Sequence, residues 1–144
     1  MKGRFTMTAL SASYDSRRKD GALLAYPVTA GAHIFKGALL AVSEATGLVQ
    51  PASDTAGLVF AGVAYEAADN TGGTAGAKSV RVLKTGVFTQ PKTGAALTDV
   101  GKAALIVDDT TVATTATTNS LVCGIVVGFP DSAHVSVRID TKVN

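Results

Sequence analysis

Short apolar runs, each cut off by Gly, Pro, Asn or Asp, recur along this chain from Gly21 onward. No window keeps apolar residues at 3.6-residue spacing for the roughly 10–12 residues that an independent helix needs. A chain punctuated in this way folds as strands joined by tight turns. The predicted strands cover residues 23–26, 39–42, 48–50, 58–66, 79–89, 104–108, 121–129 and 135–140. Val135, Val137 and Ile139 alternate with Ser136, Arg138 and Asp140, which puts one face in a core and the other in water. Val80, Arg81 and Val82 do the same before Gly86, read as a bulge or bend. Residues 121–129 are apolar on both faces, so they are expected at a sheet centre or a subunit contact.

Helix is confined to single turns, one at 95–100 before Gly101 and one at 52–56. Residues 110–118 hold six Thr in nine positions. Thr is β-branched and suits a strand with one solvated face, so a hairpin arm or exposed edge is expected there. Gly21-Ala22-Leu23-Leu24-Ala25-Tyr26 returns sixteen residues later as Gly37-Ala38-Leu39-Leu40-Ala41-Val42, a spacing that fits two neighbouring strands. The fold class that follows is mostly β: a small β-barrel or β-tulip-like domain with little helix. It spans 21–144 and carries an extended N-terminal arm at 1–20.

Charge divides the chain at the same place. Five of the thirteen basic residues, Lys2, Arg4, Arg17, Arg18 and Lys19, lie in the first nineteen positions. The apolar positions of that zone, Phe5, Met7, Leu10 and Tyr14, follow no period. It is read as an arm that orders on a partner. The opening residues are too polar for a secretory signal, and the best apolar window, 121–129, is far short of the roughly 20 residues of a membrane helix. The chain is therefore expected to be made and kept in a cytoplasm, with no membrane partner.

Catalytic constellations are scarce. Cys123 is the sole cysteine, which rules out a disulfide framework or a zinc site of paired cysteines. It is the nucleophile candidate, with His33 or His134 as base. Its setting, Leu121-Val122-Cys123-Gly124-Ile125, suits a small buried hydrophobe instead. Asp108-Asp109 is the one adjacent acidic pair, read as the end of a strand rather than a metal site. Gly72-Gly73-Thr74-Ala75-Gly76 lacks a phosphate-binding context and is read as a mobile loop. A single-strand nucleic-acid barrel needs surface aromatics among cations, and only Phe88, between Lys84 and Lys92, approaches that. No catalytic residue, cofactor, metal or direct nucleic-acid partner is assigned. Charged residues make up only 17%, and small side chains are abundant. That composition suits close packing and large contacts with a low desolvation cost.

The order of phrases adds to this. The run from Val28 through Val42, then Thr46-Gly47-Leu48-Val49-Gln50-Pro51-Ala52, Phe60-Ala61-Gly62-Val63-Ala64-Tyr65-Glu66, Val80-Arg81-Val82-Leu83-Lys84-Thr85-Gly86-Val87-Phe88, and Gly124-Ile125-Val126-Val127-Gly128 into Val135–Ile139 carry it. Across roughly 21–140 the chain resembles the capsid decoration, or cement, proteins of tailed bacteriophages. The resemblance implies a non-enzymatic β-barrel-like protein on the outer surface of a phage head. The implied partner is the major capsid protein, and the implied assembly is a homo-oligomer, with a trimer favoured and a dimer possible.

The expected mechanism is a clamp across capsomer seams that opposes internal DNA pressure, with residues 1–20 reaching along the shell. Phe5, Met7, Leu10 and Tyr14 are its apolar anchors, and Arg4, Arg17, Arg18 and Lys19 meet acidic capsid surface. The arm is the part least covered by the resemblance, so its role is read from the residues. Other classes stay open: a tail or host-receptor module, a single-strand binder, and an enzyme built on Cys123.

Overall fold

The computed structural model describes residues 11–13 and 21–140. Within them the chain runs β1 (Leu23–Pro27), β2 (His33–Ile34), β3 (Leu39–Ser43), β4 (Val49–Pro51), β5 (Leu58–Ala64) and β6 (Ala68–Asp69), then β7 (Ser79–Leu83) and β8 (Thr85–Pro91). A 3-10 turn at Leu97–Asp99 precedes β9 (Ala103–Ile106), β10 (Val112–Ala113), β11 (Val122–Asp131) and β12 (His134–Asp140). Sheet one has the order β1-β7-β5-β3-β4, and sheet two the order β10-β9-β11-β12-β8. β2 and β6 form a separate two-stranded ribbon. All paired strands are antiparallel, as short connections require. The mostly-β class expected from the sequence is the one found.

Two apolar clusters hold these layers together. Between the sheets lie Leu39, Ala41, Leu58 and Val63 of sheet one with Ile106, Cys123, Val126, Val135, Val137 and Ile139 of sheet two. On the other side of sheet one, Leu40, Ala61, Ala64, Val80 and Val82 meet Ile34 and Ala68 of the ribbon. Sheet one is thus buried on both faces, and consecutive residues of β3 serve different cores.

A bulge makes this possible in β5. Leu40 pairs with Gly62 and Ala41 with Phe60, so Ala61 is one residue too many. The extra residue reverses the alternation: Leu58, Phe60 and Val63 all face the inter-sheet core, whereas Ala61 and Ala64 face the ribbon. Gly62 sits there at φ +142°, and a Cβ would collide with the Leu83 carbonyl and with Val82 Cγ1. Only glycine fits.

The strand expected at 79–89 is two strands in different sheets. Leu83 and Phe88 both pack against the inter-sheet core, although five residues separate them. An unbroken strand would point them to opposite sides. The chain turns the corner at Lys84, whose ammonium donates to the Tyr26 hydroxyl at 2.9 Å and to the Ala61 carbonyl. The repeated segments give β1 and β3, but β7 and β5 lie between them, so they are not neighbours.

Three loop expectations change or sharpen. The glycine-rich segment 72–76 is pinned rather than mobile. Asn70 is buried, and its amide donates to the carbonyls of Val28, Thr29 and Thr74. Residues 52–56 form no helical turn. Instead the Asp54 carboxylate accepts the amides of Thr118 and Asn119 at 3.0 and 2.9 Å, tying down the end of the Thr-rich segment. That segment supplies β10, a short edge strand of sheet two, in line with the edge expected.

Candidate docking surface

Alternation along sheet two decides which side chains look away from the core. In β9, Ala104 and Ile106 point inward, so Ala103 and Leu105 lie toward the other side, where Leu105 is nonetheless buried. In β11, Cys123 and Val126 are in the core. Val122, Ile125 and Val127 are on the other side, 54%, 45% and 44% exposed. The pairing joins these positions into one surface. Val122 lies opposite Leu105, and Ile125 lies between Ala103 and Arg138. Arg138 in turn lies opposite Val87 of β8, itself 57% exposed. Exposed apolar residues therefore stand on β11 and at Val87 of β8, with Arg138 of β12 between them and the exposed Thr85 and Thr89 on either side of Val87. A polar outer face is the norm for a two-layer sandwich; here β12 follows the norm and β11 breaks it.

The 3-10 turn before β9 carries a rigid apolar knob. Gly101 donates to the Val126 carbonyl at 2.8 Å, which brings the 3-10 turn to β11. Leu97 of that turn is 69% exposed, the most exposed of the large hydrophobic residues, and Val100 is also exposed. The turn is held by Asp99, which is buried. Its carboxylate accepts the Ala96 amide at 2.9 Å and the Thr114 hydroxyl at 2.9 Å. Lys92 Nζ stands 3.1 Å away on the same carboxylate. The Ala96 amide, with help from Thr114 and Lys92, holds the Asp99 carboxyl below the usual aspartate range. An apolar side chain on a preordered turn loses little entropy when it docks.

The residues singled out for chemistry do not converge. Cys123 is buried, its Sγ faces the Ala104 carbonyl at 3.5 Å, and burial pushes the thiol up to about 12. It is a protonated core side chain at neutral pH. His134 is paired with Asp131 at 2.8 Å, and His33 stacks on Phe35 near Asp69. No hydrogen bond joins either to Cys123 among the described residues. Asp108 closes the β9–β10 turn by accepting the amides of Thr110 and Thr111. Among the described residues no three His, Cys, Asp or Glu side chains gather as a metal site. Phe88 packs against the core instead of standing between Lys84 and Lys92 as a stacking platform. The arm residues Arg4, Phe5, Met7, Leu10, Tyr14, Arg17, Arg18 and Lys19 lie outside the described residues.

Sequence reasoning caught only part of this surface. The doubly apolar run at 121–129 marked β11 as central or in contact, and it is central in sheet two with one face bare. Val87, Leu105 and Leu97 went unmarked because their partners across the sheet are distant in sequence.

Fold and surface together define an all-β domain whose distinctive surface is an apolar sheet face. No protein-family model matches the chain, and no curated protein does. Among solved structures it is similar to the N base of the head fibre gp8.5 in bacteriophage phi29, with a TM-score of 0.50 and 20% identity. The match covers 85% of this chain and 98% of that one. At such identity the likeness is one of fold, and it spans essentially the whole of the fibre base.

Proposed function

We propose that this chain is a structural protein of a bacteriophage head, and that it binds the outside of the expanded shell across capsomer seams as a decoration protein. The observation that carries this reading is the fold: its counterpart is the base of a fibre named for the head of a phage. The sequence resemblance to capsid decoration proteins supports a head-associated role by a separate route and adds the outer surface to the proposal. The buried, protonated Cys123 and the scattered histidines add no competing chemistry.

The mechanism is linkage. A protein that binds only the expanded shell stabilises that state by RT ln(1 + [L]/Kd) at each site, about 2.7 kcal/mol at a hundredfold excess over Kd. Repeated over many sites, modest contacts oppose a large internal pressure. In this proposal residues 1–20 lie along the shell. Ordering twenty free residues costs about 20–40 kcal/mol of backbone entropy, so the arm needs extensive contact through Phe5, Met7, Leu10 and Tyr14.

Co-sedimentation of the purified chain with undecorated expanded heads and with unexpanded procapsids tests the reading. Saturable binding to expanded heads alone, at a fixed ratio to capsid subunits, is expected. Binding to neither particle would overturn it in favour of a tail or receptor module. Deleting residues 1–20 should weaken binding while leaving the body folded; unchanged affinity would remove the arm from the mechanism.

A further inference from the structure

We infer that the outer face of sheet two is the contact between two copies of this chain, packed face to face about a two-fold axis. The face is apolar where water should be: Val122, Ile125 and Val127 of β11 and Val87 of β8 all stand exposed on it. Sheet one, by contrast, has its second face closed by the ribbon. On sheet two the described residues bury Leu105 of β9 but leave Val122, Ile125, Val127 and Val87 without such cover.

Size and charge both select a second copy. The five strands hold 2, 4, 10, 7 and 7 residues; at about 3.4 Å rise and 4.8 Å spacing they give a face of roughly 490 Å² in projection. A stable interface takes about 800 Å² of accessible surface from each partner, and side chains make accessible area larger than projected area, so this face is of the right order for one contact. The charges on its β12 stripe are one cation and one anion, Arg138 and Asp140, both well exposed and a loose 3.9 Å apart. A two-fold contact is isologous: what residue i meets in one copy, the same residue meets in the other. With the axis crossing β12 between these two residues, each Arg138 meets the other copy's Asp140, while the valines and Ile125 interdigitate at the roughly 10 Å spacing of packed sheets. Such a contact makes a dimer, in place of the trimer that the sequence resemblance favours. It does not depend on the head-surface reading.

Sedimentation equilibrium of the full chain over a concentration series tests it. The expected species has a mass of about 29 kDa, twice that of the 14.5 kDa chain. Ile125→Glu, which replaces the central apolar side chain with a carboxylate that draws Arg138 away from the other copy's Asp140, should weaken the dimer at least about 30-fold. Circular dichroism and thermal unfolding report whether that variant keeps its fold. Should it unfold, the exposed pair serves instead. Arg138→Asp and Asp140→Arg each weaken the dimer, and the double swap restores it. A monomer throughout, a trimer, or a dimer indifferent to both sets of changes overturns the inference. Head co-sedimentation of the same variants separates the two proposals. If the wild-type chain is a monomer and Ile125→Glu abolishes head binding, the face belongs to the shell; the dimer falls and the head reading stands.

Discussion

Sheet one and sheet two are built from strands of similar number and pairing, yet they meet their surroundings differently. Among the described residues, sheet one has a core on each face and sheet two on one face. In sheet one the second face is covered by two strands of two residues each, β2 and β6, carried on loops that the buried Asn70 amide fastens. In sheet two the second face has a strand, β11, that is as apolar outward as inward. The contrast teaches that strand composition sets how many faces want cover, while the described residues supply a second core for only one sheet. The bare face is where a binding function is to be sought.

The sharpest way to break this comparison lies at the β5 bulge. Gly62→Ala forces a side chain into positive φ and against the Leu83 carbonyl. It should destabilise the fold by about 3–5 kcal/mol, read as a shift of the urea midpoint. A loss below about 1 kcal/mol would mean that sheet one does not need its reversed alternation. Truncating the two faces comes next. Leu40→Ala, in the ribbon-side core, should cost about 2–5 kcal/mol. Val122→Ala, on the bare face, should stay within about 0.5 kcal/mol when measured on the monomer. Equal costs would show that sheet two is as closed as sheet one.

Lys92→Met sharpens the picture at the edge of sheet two. It leaves the buried Asp99 carboxylate short of one partner and should cost about 1–3 kcal/mol. Amide exchange at Ala96 and Val100 should speed up, while exchange in β3 should not change. The smallest effect is on acid stability. Arg81 donates to Glu66 through Nε and Nη2 at 3.1 and 2.8 Å, and this side-chain bonding, aided by the Arg81 amide, holds the Glu66 carboxyl at about 2. A depressed carboxyl pKa contributes stability above its unfolded value near 4.5 that is lost as pH falls toward 2. Asp99 acts in the same direction below its unfolded value of 3.8. Arg81→Gln should therefore flatten the melting temperature between pH 5 and pH 2 only slightly, because the Glu66–Arg81 pair is exposed and screened. A large change would contradict its surface position.

Much of the fold was legible in the residues. The strict alternation of Val135, Val137 and Ile139 appears as β12, and the doubly apolar run as a central β11. The single turn near residue 97 and the edge strand in the Thr-rich segment were both foreseen. What escaped was non-local. His33–Ile34 and Ala68–Asp69 are too short to show a period, and they become strands only because they pair with each other over sheet one. The corner at Lys84 hides inside a run of good β-formers, since alternation cannot tell which of two sheets a residue enters. Of the candidate site, Cys123 was rightly read as a core thiol, whereas the docking face needed the register that sets Val87, Arg138, Ile125 and Ala103 in a row.

By itself the sequence determined the class of structure. Runs of alternating or continuous apolar residues, broken at short intervals by turn formers, leave antiparallel strands as the way to satisfy the backbone while burying the side chains. It also determined that β11 would want company on both sides. Tertiary structure alone decided which sheet the chain could close and which it left open. That choice rests on register, the Gly62 bulge and the turn at Lys84. Each acts through contacts between residues far apart in sequence, and pairing of that kind leaves no trace in the local pattern of any one segment.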